Sequence, residues 1–472
     1  MNSLLAYTYW VLPFLLAMGS ALALVLLLFF ASSLSPRWSA ATKLTVIIAA
    51  AFVGESVYGA MSGRLLYNEL EIARNPWLGY QIVGSPAASL VKKAASALML
   101  VVSGGEVIRW LLRRSSMHVN VLPLYLAFAF YYLAMVWVSA AFGVVREFSQ
   151  AWFYAPIVFT ALALLAPEGL HGAVRHLRWM LVLGLLLGVL PGAIELKRVV
   201  ETGYEGSLIG LPYRLHGAAS HANSFGAVAL ILLFLELSPW VVRRINWLNV
   251  VLALTLLILS QSKANWVALL LGAPLVRADA LATLWRKHAG ALVVSASVML
   301  SAWVLYAAST DALNSLAWHA ADWGSEEAFT GRGAIWAITW DTFLKHPVFG
   351  YGPALWDPVF RNEYNWSVAG HAHNQFLQVL GRAGIFGAIS WLLLMVRLGQ
   401  GVMREQGEGR WLGMALFVAL LCRSWTEAPM EPGAIAGIDG LGYLLVFVFA
   451  VAGLASAGQK AGVGVRHSGA GG

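Results

Sequence analysis

The sequence predicts an all-α, polytopic membrane protein of about 12–13 transmembrane helices with a large outer loop bearing amphipathic helices. Three observations support this fold class. The chain of 472 residues is 59% hydrophobic and only 11% charged. Apolar runs of about 20 residues, long enough to cross a bilayer as a helix, recur along the chain. Short basic clusters separate them, so a water-soluble globule is excluded.

The apolar runs give the predicted spans in order. They lie at about 7–32, 44–62, 86–108, 120–142, 149–167, 179–196, 222–241, 246–261, 264–278, 289–308, 374–396, 410–428 and 438–456. No Lys or Arg precedes the first run, which is also long for a signal peptide, so we expect a retained helix there. The run at 264–278 is short, which indicates a broken or re-entrant piece.

Basic residues lie in alternate connections, from Arg37 and Lys43 near the start to Lys460 and Arg466 near the end. The positive-inside rule assigns these connections to the cytoplasm. Three segments then lie outside: 63–85, 197–221 and 309–373. The basic residues that give the net charge of +8 therefore serve to orient the helices, and we expect no nucleic-acid partner.

The same pattern divides the chain into four regions. Residues 1–196 form the N-terminal membrane helices, and 197–400 form a central region that includes the loop 309–373. Residues 401–456 form the C-terminal membrane helices. The Gly-, Ala- and Ser-rich tail 457–472 is expected to be cytoplasmic and disordered.

The largest outer segment combines aromatic and acidic side chains. Its members include Trp318, Trp323, Trp336, Trp340, Trp356, Trp366, Tyr351, Tyr364, Asp311, Asp322, Glu326, Glu327, Asp341, Asp357 and Glu363. Flat rings beside carboxylates suit sugars, whose C–H faces stack and whose hydroxyls need hydrogen-bond partners. Aromatic residues also form interfacial belts in membrane proteins, so both interpretations stay open.

An amphipathic helix on the outer surface is predicted from Gly331 to Leu344, with Pro347 as its stop. Arg332 would stand at its start, where free backbone N–H groups can help a guanidinium to hold phosphate. A structural salt bridge from Arg332 to a nearby acid is the alternative.

His371, His373 and Asn374 stand where the loop enters the next span. A helical entry would place four polar residues on one face: His371, Gln375, Gln378 and Arg382. Such a face is costly against lipid, so it should point to the protein interior or to a wet cavity. The two histidines would diverge on a helix, and no nearby Cys or acid completes a tight cluster, so no metal site is expected.

Polar groups also precede other spans on the outer side. Arg214, His221 and Asn223 come just before one span, and Lys263 follows Ser260 and Ser262 at an outward junction. Lys263 alone is more typical of a snorkelling residue than of a ligand.

Arg423 and Glu427 lie four residues apart near an outer helix end, and we expect them to form a structural pair. The single cysteine, Cys422, excludes an intrachain disulfide.

Four features in matching order resemble the O-antigen ligase and Wzy polymerase superfamily of bacterial membrane glycosyltransferases. They are Arg214-x-x-Gly217 with His221 and Asn223, then Ser260-x-Ser262-Lys263, then Gly331-Arg332 with Trp336, and finally His373-Asn374 with Leu377, Leu380 and Gly384. The chain departs from the usual pattern with Ala222 in place of proline and with Lys263 in place of an arginine. Lysine keeps the charge but lacks the bidentate fork.

The resemblance implies transfer of a glycan from an undecaprenyl-pyrophosphate donor to an acceptor hydroxyl, with inversion and without a metal or cofactor. The acceptor would be lipid A–core or another lipid-linked glycan. The site would face the periplasm from the bacterial inner membrane, among membrane lipids. Cations at the bilayer surface would stabilise the departing pyrophosphate, and the candidates are Arg214, Lys263, Arg332 and Arg382.

By motif match, His373 is the candidate that orients or deprotonates the acceptor hydroxyl, with His371 as the alternative. Asn374 would orient the histidine or the sugar. The other candidate substrate-binding residues are His221, Asn223, Trp336 and Gln375.

Several functions remain open at this stage. A ligase acting on lipid A–core is favoured over an O-antigen or exopolysaccharide polymerase, and transfer to protein ranks third. A flippase or other transporter would need polar residues near the middle of several spans. Here the polar residues cluster at outer ends, with Glu55 near mid-span as the exception.

Overall fold

The computed structural model describes residues 37–67, 86–114, 117–145, 153–204, 207–277, 295, 332–364, 370–405, 408–433, 435 and 437–468. The predicted spans 7–32 and 289–308, and parts of the outer segments, lie outside these residues. The described part is mostly helical, which confirms the all-α membrane class.

The described residues contain the following helices, in chain order. They are α1 (Ala40–Met61), α2 (Pro86–Arg113), α3 (Leu122–Tyr132), α4 (Ser139–Phe142), α5 (Tyr154–Val189), α6 (Ala222–Leu237), α7 (Trp247–Leu259), α8 (Lys263–Arg277), α9 (Arg332–Lys345), α10 (Pro358–Glu363), α11 (Gln375–Arg404), α12 (Glu408–Ser424) and α13 (Leu441–Ser468). A π-helical segment, Leu133–Val138, joins α3 to α4, and two short 3₁₀ turns, Leu190–Ala193 and Leu196–Arg198, follow α5.

Two short strands form a hairpin ahead of α6. Strand β1 (Val200–Thr202) pairs antiparallel with β2 (Tyr213–Leu215), with Glu201 opposite Arg214. This hairpin brings Arg214 toward the start of α6.

Five of the described helical segments are long and apolar enough to cross a membrane: 40–61, 86–113, 122–142, 154–193 and 375–404. Shorter apolar helices cover 222–237, 247–259, 263–276 and 441–457. The predicted total of about 12–13 spans stays a prediction.

One helix differs from the predicted span pattern. The runs at 149–167 and 179–196 were expected to be separate, but the chain is continuous α-helix from Tyr154 to Val189, with Pro167 inside it. The polar residues between the runs are compatible with helix, so a change of polarity does not by itself end one.

The last helix also continues to Ser468, whereas the tail 457–472 was expected to be disordered. Extending an existing helix needs no new nucleus.

Two apolar clusters hold the helices together. In the larger cluster, Phe159 of α5 stacks on Phe128 of α3 with ring centroids 4.3 Å apart, and Gly184 of α5 faces Phe52 of α1. The smaller cluster joins α9, α10 and the start of α11 around the buried Trp356 and Phe360. The smaller cluster therefore holds the amphipathic helix α9 against the start of α11.

Candidate active site

The loop that carries the two histidines is fixed by the start of α11. Asn374 caps this helix, because its Oδ1 accepts the Leu377 N–H at 3.0 Å. The Ala372 N–H donates to Gln378 Oε1 at 2.7 Å, which folds the loop back over the first turn. His373 has a φ of +46°, which is uncommon for a residue other than glycine and marks a conformation held by its surroundings.

The expected one-face stripe is therefore only partly correct. His371 precedes the cap and is not helical, so it does not share a helix face with Gln375, Gln378 and Arg382. Gln375 and Gln378 are buried, as the cost of exposing amides to lipid predicts.

Glu427 lies at the centre of the cluster that these histidines enter. Its Oε2 is 3.3 Å from His371 Nε2 and 3.3 Å from His373 Nδ1. Its Oε1 accepts the Asn223 Nδ2–H at 2.6 Å and lies 3.4 Å from an Arg332 Nη. The side chain is 7% exposed, so this carboxylate is shielded from water.

The expected side-chain pair between Arg423 and Glu427 is wrong. Helix α12 ends at Ser424, so Glu427 no longer lies on the helix face that Arg423 occupies. Arg423 instead donates to the carboxylate of Asp439 and, at 3.1 Å, to the Ser224 hydroxyl.

Burial and charge set the protonation states. Burial raises the pKa of Glu427, but the neighbouring imidazoles of His373, His221 and His371 outweigh it and leave the pKa well below the usual value. Burial lowers the pKa of His371 to about 4, and it lowers the pKa of His221 well below the ordinary value although Glu427 acts in the opposite direction. At neutral pH the site therefore holds an ionised carboxylate beside neutral His221 and His371.

Backbone hydrogen bonds allow us to assign the histidine tautomers. The His373 N–H donates to His371 Nδ1 at 3.0 Å, so the hydrogen of neutral His371 is on Nε2, facing Glu427. Neutral His221 has the same tautomer, since its Nδ1 accepts the Asn223 N–H at 3.1 Å, but here Nδ1 is also the atom 4.0 Å from Glu427 Oε1. His373 differs, because its Nδ1 faces the carboxylate and a hydrogen there leaves Nε2 as a free acceptor. Of these three histidines, only His373 is arranged to accept a proton.

Two arginines border this cluster. Arg214 donates to Asn223 Oδ1 at 2.8 Å and to the Ser260 carbonyl at 3.3 Å, and its guanidinium lies 4.7 Å from the Tyr204 ring centroid. Asn223 thus links Arg214 to Glu427 with one amide oriented by both. Arg332 stands at the first residue of α9, as predicted.

Other predicted residues have different surroundings. Arg382 donates to Glu431 Oε2 at 2.7 Å and to the Met135 carbonyl at 3.1 Å. Gln375 accepts the Met430 N–H at 2.8 Å. Trp336 packs beside the smaller apolar cluster, and Lys263 is exposed at the first residue of α8.

The expectation that no acid accompanies the two histidines is wrong, because the possible ligand atoms of His371, His373 and Glu427 all lie within 4.8 Å of one another. Three such groups could hold a divalent ion. The assigned tautomer puts a hydrogen on His371 Nε2, however, and Arg332 already lies beside the carboxylate. The arrangement therefore favours hydrogen bonding over metal ligation.

Sequence reasoning assigned Glu427 to a structural pair and missed its place in the site, for which its position at the outer end of a predicted span was the only signal. It also assigned no role to His216, whose Nε2 lies 2.9 Å from Glu201 Oε2 in the hairpin. The His216 ring centroid is 5.8 Å from that of His221, so this second imidazole–carboxylate pair borders the cluster.

Comparison with known proteins gives one match to a protein family. Residues 248–392 match the family described as O-antigen ligase. None of the curated proteins compared with the chain matches it. The matched segment includes Arg332, His371 and His373, whereas Arg214, Asn223 and Glu427 come from outside it.

Proposed function

Because residues 248–392 match the family described as O-antigen ligase, we propose that the chain is a membrane glycosyltransferase of ligase or polymerase type. Its donor would be a glycan on undecaprenyl pyrophosphate, and its acceptor a sugar hydroxyl at the periplasmic face of the inner membrane. An O-antigen ligase acting on lipid A–core is the first choice. The observation that supports this proposal best is the Glu427–His373 pair, bordered by two guanidinium groups.

The acceptor half of the reaction rests on His373. The acceptor hydroxyl would donate its hydrogen bond to His373 Nε2, which takes the proton as the oxygen attacks the anomeric carbon. Glu427 would hold the Nδ1–H and stabilise the imidazolium that forms, as the carboxylate does in a Ser-His-Asp triad. His371 would donate a second hydrogen bond to Glu427 Oε2 and fix the position of this carboxylate.

The donor half rests on the cations. As the new bond forms on one face of the anomeric carbon, its bond to the pyrophosphate oxygen breaks on the opposite face, which inverts the configuration. The electron pair leaves with the pyrophosphate, whose charge Arg214 and Arg332 would stabilise. The exposed Lys263 would add a third cation from α8. Arg382 forms an ion pair with Glu431, so we assign it a structural role rather than pyrophosphate binding.

Transport is disfavoured by the one mid-span acid that the sequence left without a role. Glu55 Oε2 accepts the Ile438 N–H at 2.5 Å, and Lys92 lies 4.0 Å from its other oxygen. This carboxylate binds a backbone group between α12 and α13, which is a structural task.

A transfer assay tests the proposal. Purified protein receives undecaprenyl-pyrophosphate-linked oligosaccharide, with lipid A–core in one tube and no other acceptor in the second. Glycan on lipid A–core in the first tube alone would establish the ligase. Lengthening of the lipid-linked glycan in both tubes would establish the polymerase. No transfer by folded protein with its native donor would contradict the proposal.

A further inference from the structure

The hairpin that presents Arg214 ends in an apolar surface. Between its strands, Leu208, Ile209 and Leu211 are 68%, 43% and 37% exposed, and Tyr213 at the start of β2 is 49% exposed. Clustered apolar side chains of this size are unfavourable in water and indicate a binding surface or a membrane contact. We name these four residues the hairpin tip.

The hairpin tip is attached to the end of a membrane helix. Gln261, which follows α7, donates from Nε2 to the Leu211 carbonyl at 3.0 Å and also to the Tyr213 carbonyl. Gln261 is itself 2% exposed and has a φ of +49°, so the junction is held in one conformation. The tip therefore has a fixed position beside the last turn of α7.

The last turns of α7 continue the apolar surface. Leu254, Ile258 and Leu259 are 38%, 41% and 37% exposed there. Residues 254 and 258 are four apart and share one helix face. Strand β2 contacts α7, and Gln261, the residue after Ser260, ties the hairpin to the end of this helix. We call the hairpin tip and this face of α7 together the apolar path.

The path ends next to a cation. Successive side chains of a strand point to opposite sides, so Tyr213 faces outward while Arg214 faces Ser260 and Asn223. One hairpin therefore presents an apolar surface and a guanidinium in adjacent positions. A polyprenyl pyrophosphate has the matching parts, an isoprenoid chain joined to a dianionic head.

We propose that the hairpin tip and the exposed face of α7 bind the isoprenoid chain of the lipid-linked donor and guide its pyrophosphate to Arg214. This inference rests on the proposed function. It makes the tip a recognition element for the polyprenyl carrier, whereas a tip that only anchors the protein would contact bulk lipid.

Kinetics with two donors show whether the hairpin tip binds the polyprenyl chain of the donor or contacts only bulk lipid. The variant Leu208→Ser/Ile209→Ser is compared with the parent on the same glycan carried by undecaprenyl pyrophosphate or by a pyrophosphate with two isoprene units. We expect the KM for the long-chain donor to rise roughly tenfold, since two apolar side chains are removed from the path, and the KM for the short-chain donor to stay within about twofold. Equal changes with both donors, or none, would overturn the proposal.

Leu111→Ser/Leu112→Ser is the matched control. These residues are 59% and 67% exposed at the end of α2, a different helix from the proposed binding surface. This variant removes apolar side chains of the same kind from the membrane surface, so it should leave the KM values for both donors unchanged.

A second readout needs no turnover and keeps the inference testable if transfer is absent. A photoreactive p-benzoylphenylalanine replaces Ile209 in one protein and Leu111 in another, and each is irradiated with radiolabelled undecaprenyl pyrophosphate in lipid nanodiscs. Labelling at 209 that excess unlabelled undecaprenyl pyrophosphate suppresses, with none at 111, is expected. Equal labelling at both positions, or labelling that the competitor leaves unchanged, would show bulk-lipid contact and overturn the inference.

Discussion

Replacing Glu427 with glutamine tests the centre of the site, because the variant keeps the shape of the side chain and removes its charge. The amide oxygen can stay where Oε1 accepts from Asn223 at 2.6 Å and faces Arg332 at 3.4 Å. The amide nitrogen then takes the place of Oε2, where His371 Nε2 and His373 Nδ1 each lie 3.3 Å away. Two imidazole donors would meet a donor instead of an acceptor.

The size of the effect follows from the two imidazole–carboxylate contacts of 3.3 Å that the substitution removes. If each contact is given the value of a hydrogen bond to a charged group, about 1.5–3 kcal/mol, the loss of two gives about 3–6 kcal/mol. At about 1.4 kcal/mol for each factor of ten, kcat should fall about 10²- to 10⁴-fold. General-base catalysis contributes a similar range. Without its acceptor, His373 also loses the preference for the tautomer that keeps Nε2 free.

The assay is transfer of labelled glycan to lipid A–core, with kcat measured at saturating donor. Glu431→Gln is the matched control, since this nearby carboxylate pairs with Arg382 at 2.7 Å and does not contact the histidines. Monodispersity and Tm are recorded for both variants. A folded Glu427→Gln protein that keeps more than about a tenth of the parent kcat would refute the assigned pair.

The same geometry predicts the outcome of four other experiments. His373→Asn should lower kcat by at least about 10²-fold and His371→Asn by about tenfold, because only His373 has a free acceptor nitrogen; equal losses would contradict the tautomer assignment. Asn223→Ala should raise the donor KM roughly tenfold, since Arg214 loses its Oδ1 partner; titration of the initial rate with donor checks this. The Tm in detergent should fall as the pH drops from about 6.5 to 4, because unfolded His371 binds a proton over this interval and folded His371, with a pKa of about 4, does not. His371→Gln should flatten that part of the curve. Incubation with EDTA followed by desalting should leave kcat unchanged, and restoration of a lost rate by a divalent ion would overturn the hydrogen-bonding interpretation.

Local signals in the sequence predicted the elements that carry the site. The helix expected from Gly331 to Leu344 is observed as Arg332–Lys345, because apolar spacing and the following Pro347 act within a few residues. The entry of the loop into a long apolar helix is also observed, with Asn374 as its cap. The same local reasoning failed for His371, since the Asn374 cap starts the helix at Gln375, four residues after His371.

The partners of these elements could not be predicted, because they are distant in the chain. Asn223 and Glu427 are separated by 204 positions and meet only in the folded protein. The spacing of Arg423 and Glu427 suggested a pair, but this spacing applies only within a helix, and the end of α12 at Ser424 lies between them. Assigning Glu427 therefore required the helix end and the positions of two other loops.

The start of α6 explains how a carboxylate in a loop can be held rigidly enough for catalysis. Asn223 binds Glu427, while its neighbour Ser224 binds Asp439 and accepts from Arg423 at 3.1 Å. Arg423 in turn donates to the Asp439 carbonyl at 3.0 Å, so the chain is fixed on both sides of Glu427. Two adjacent residues of α6 thus anchor two separate ionic clusters. An ionic network of this kind has few alternative arrangements, so the Glu427 carboxylate is in position before the substrate binds. A group that orients a catalytic residue lowers the barrier most when it is positioned in advance.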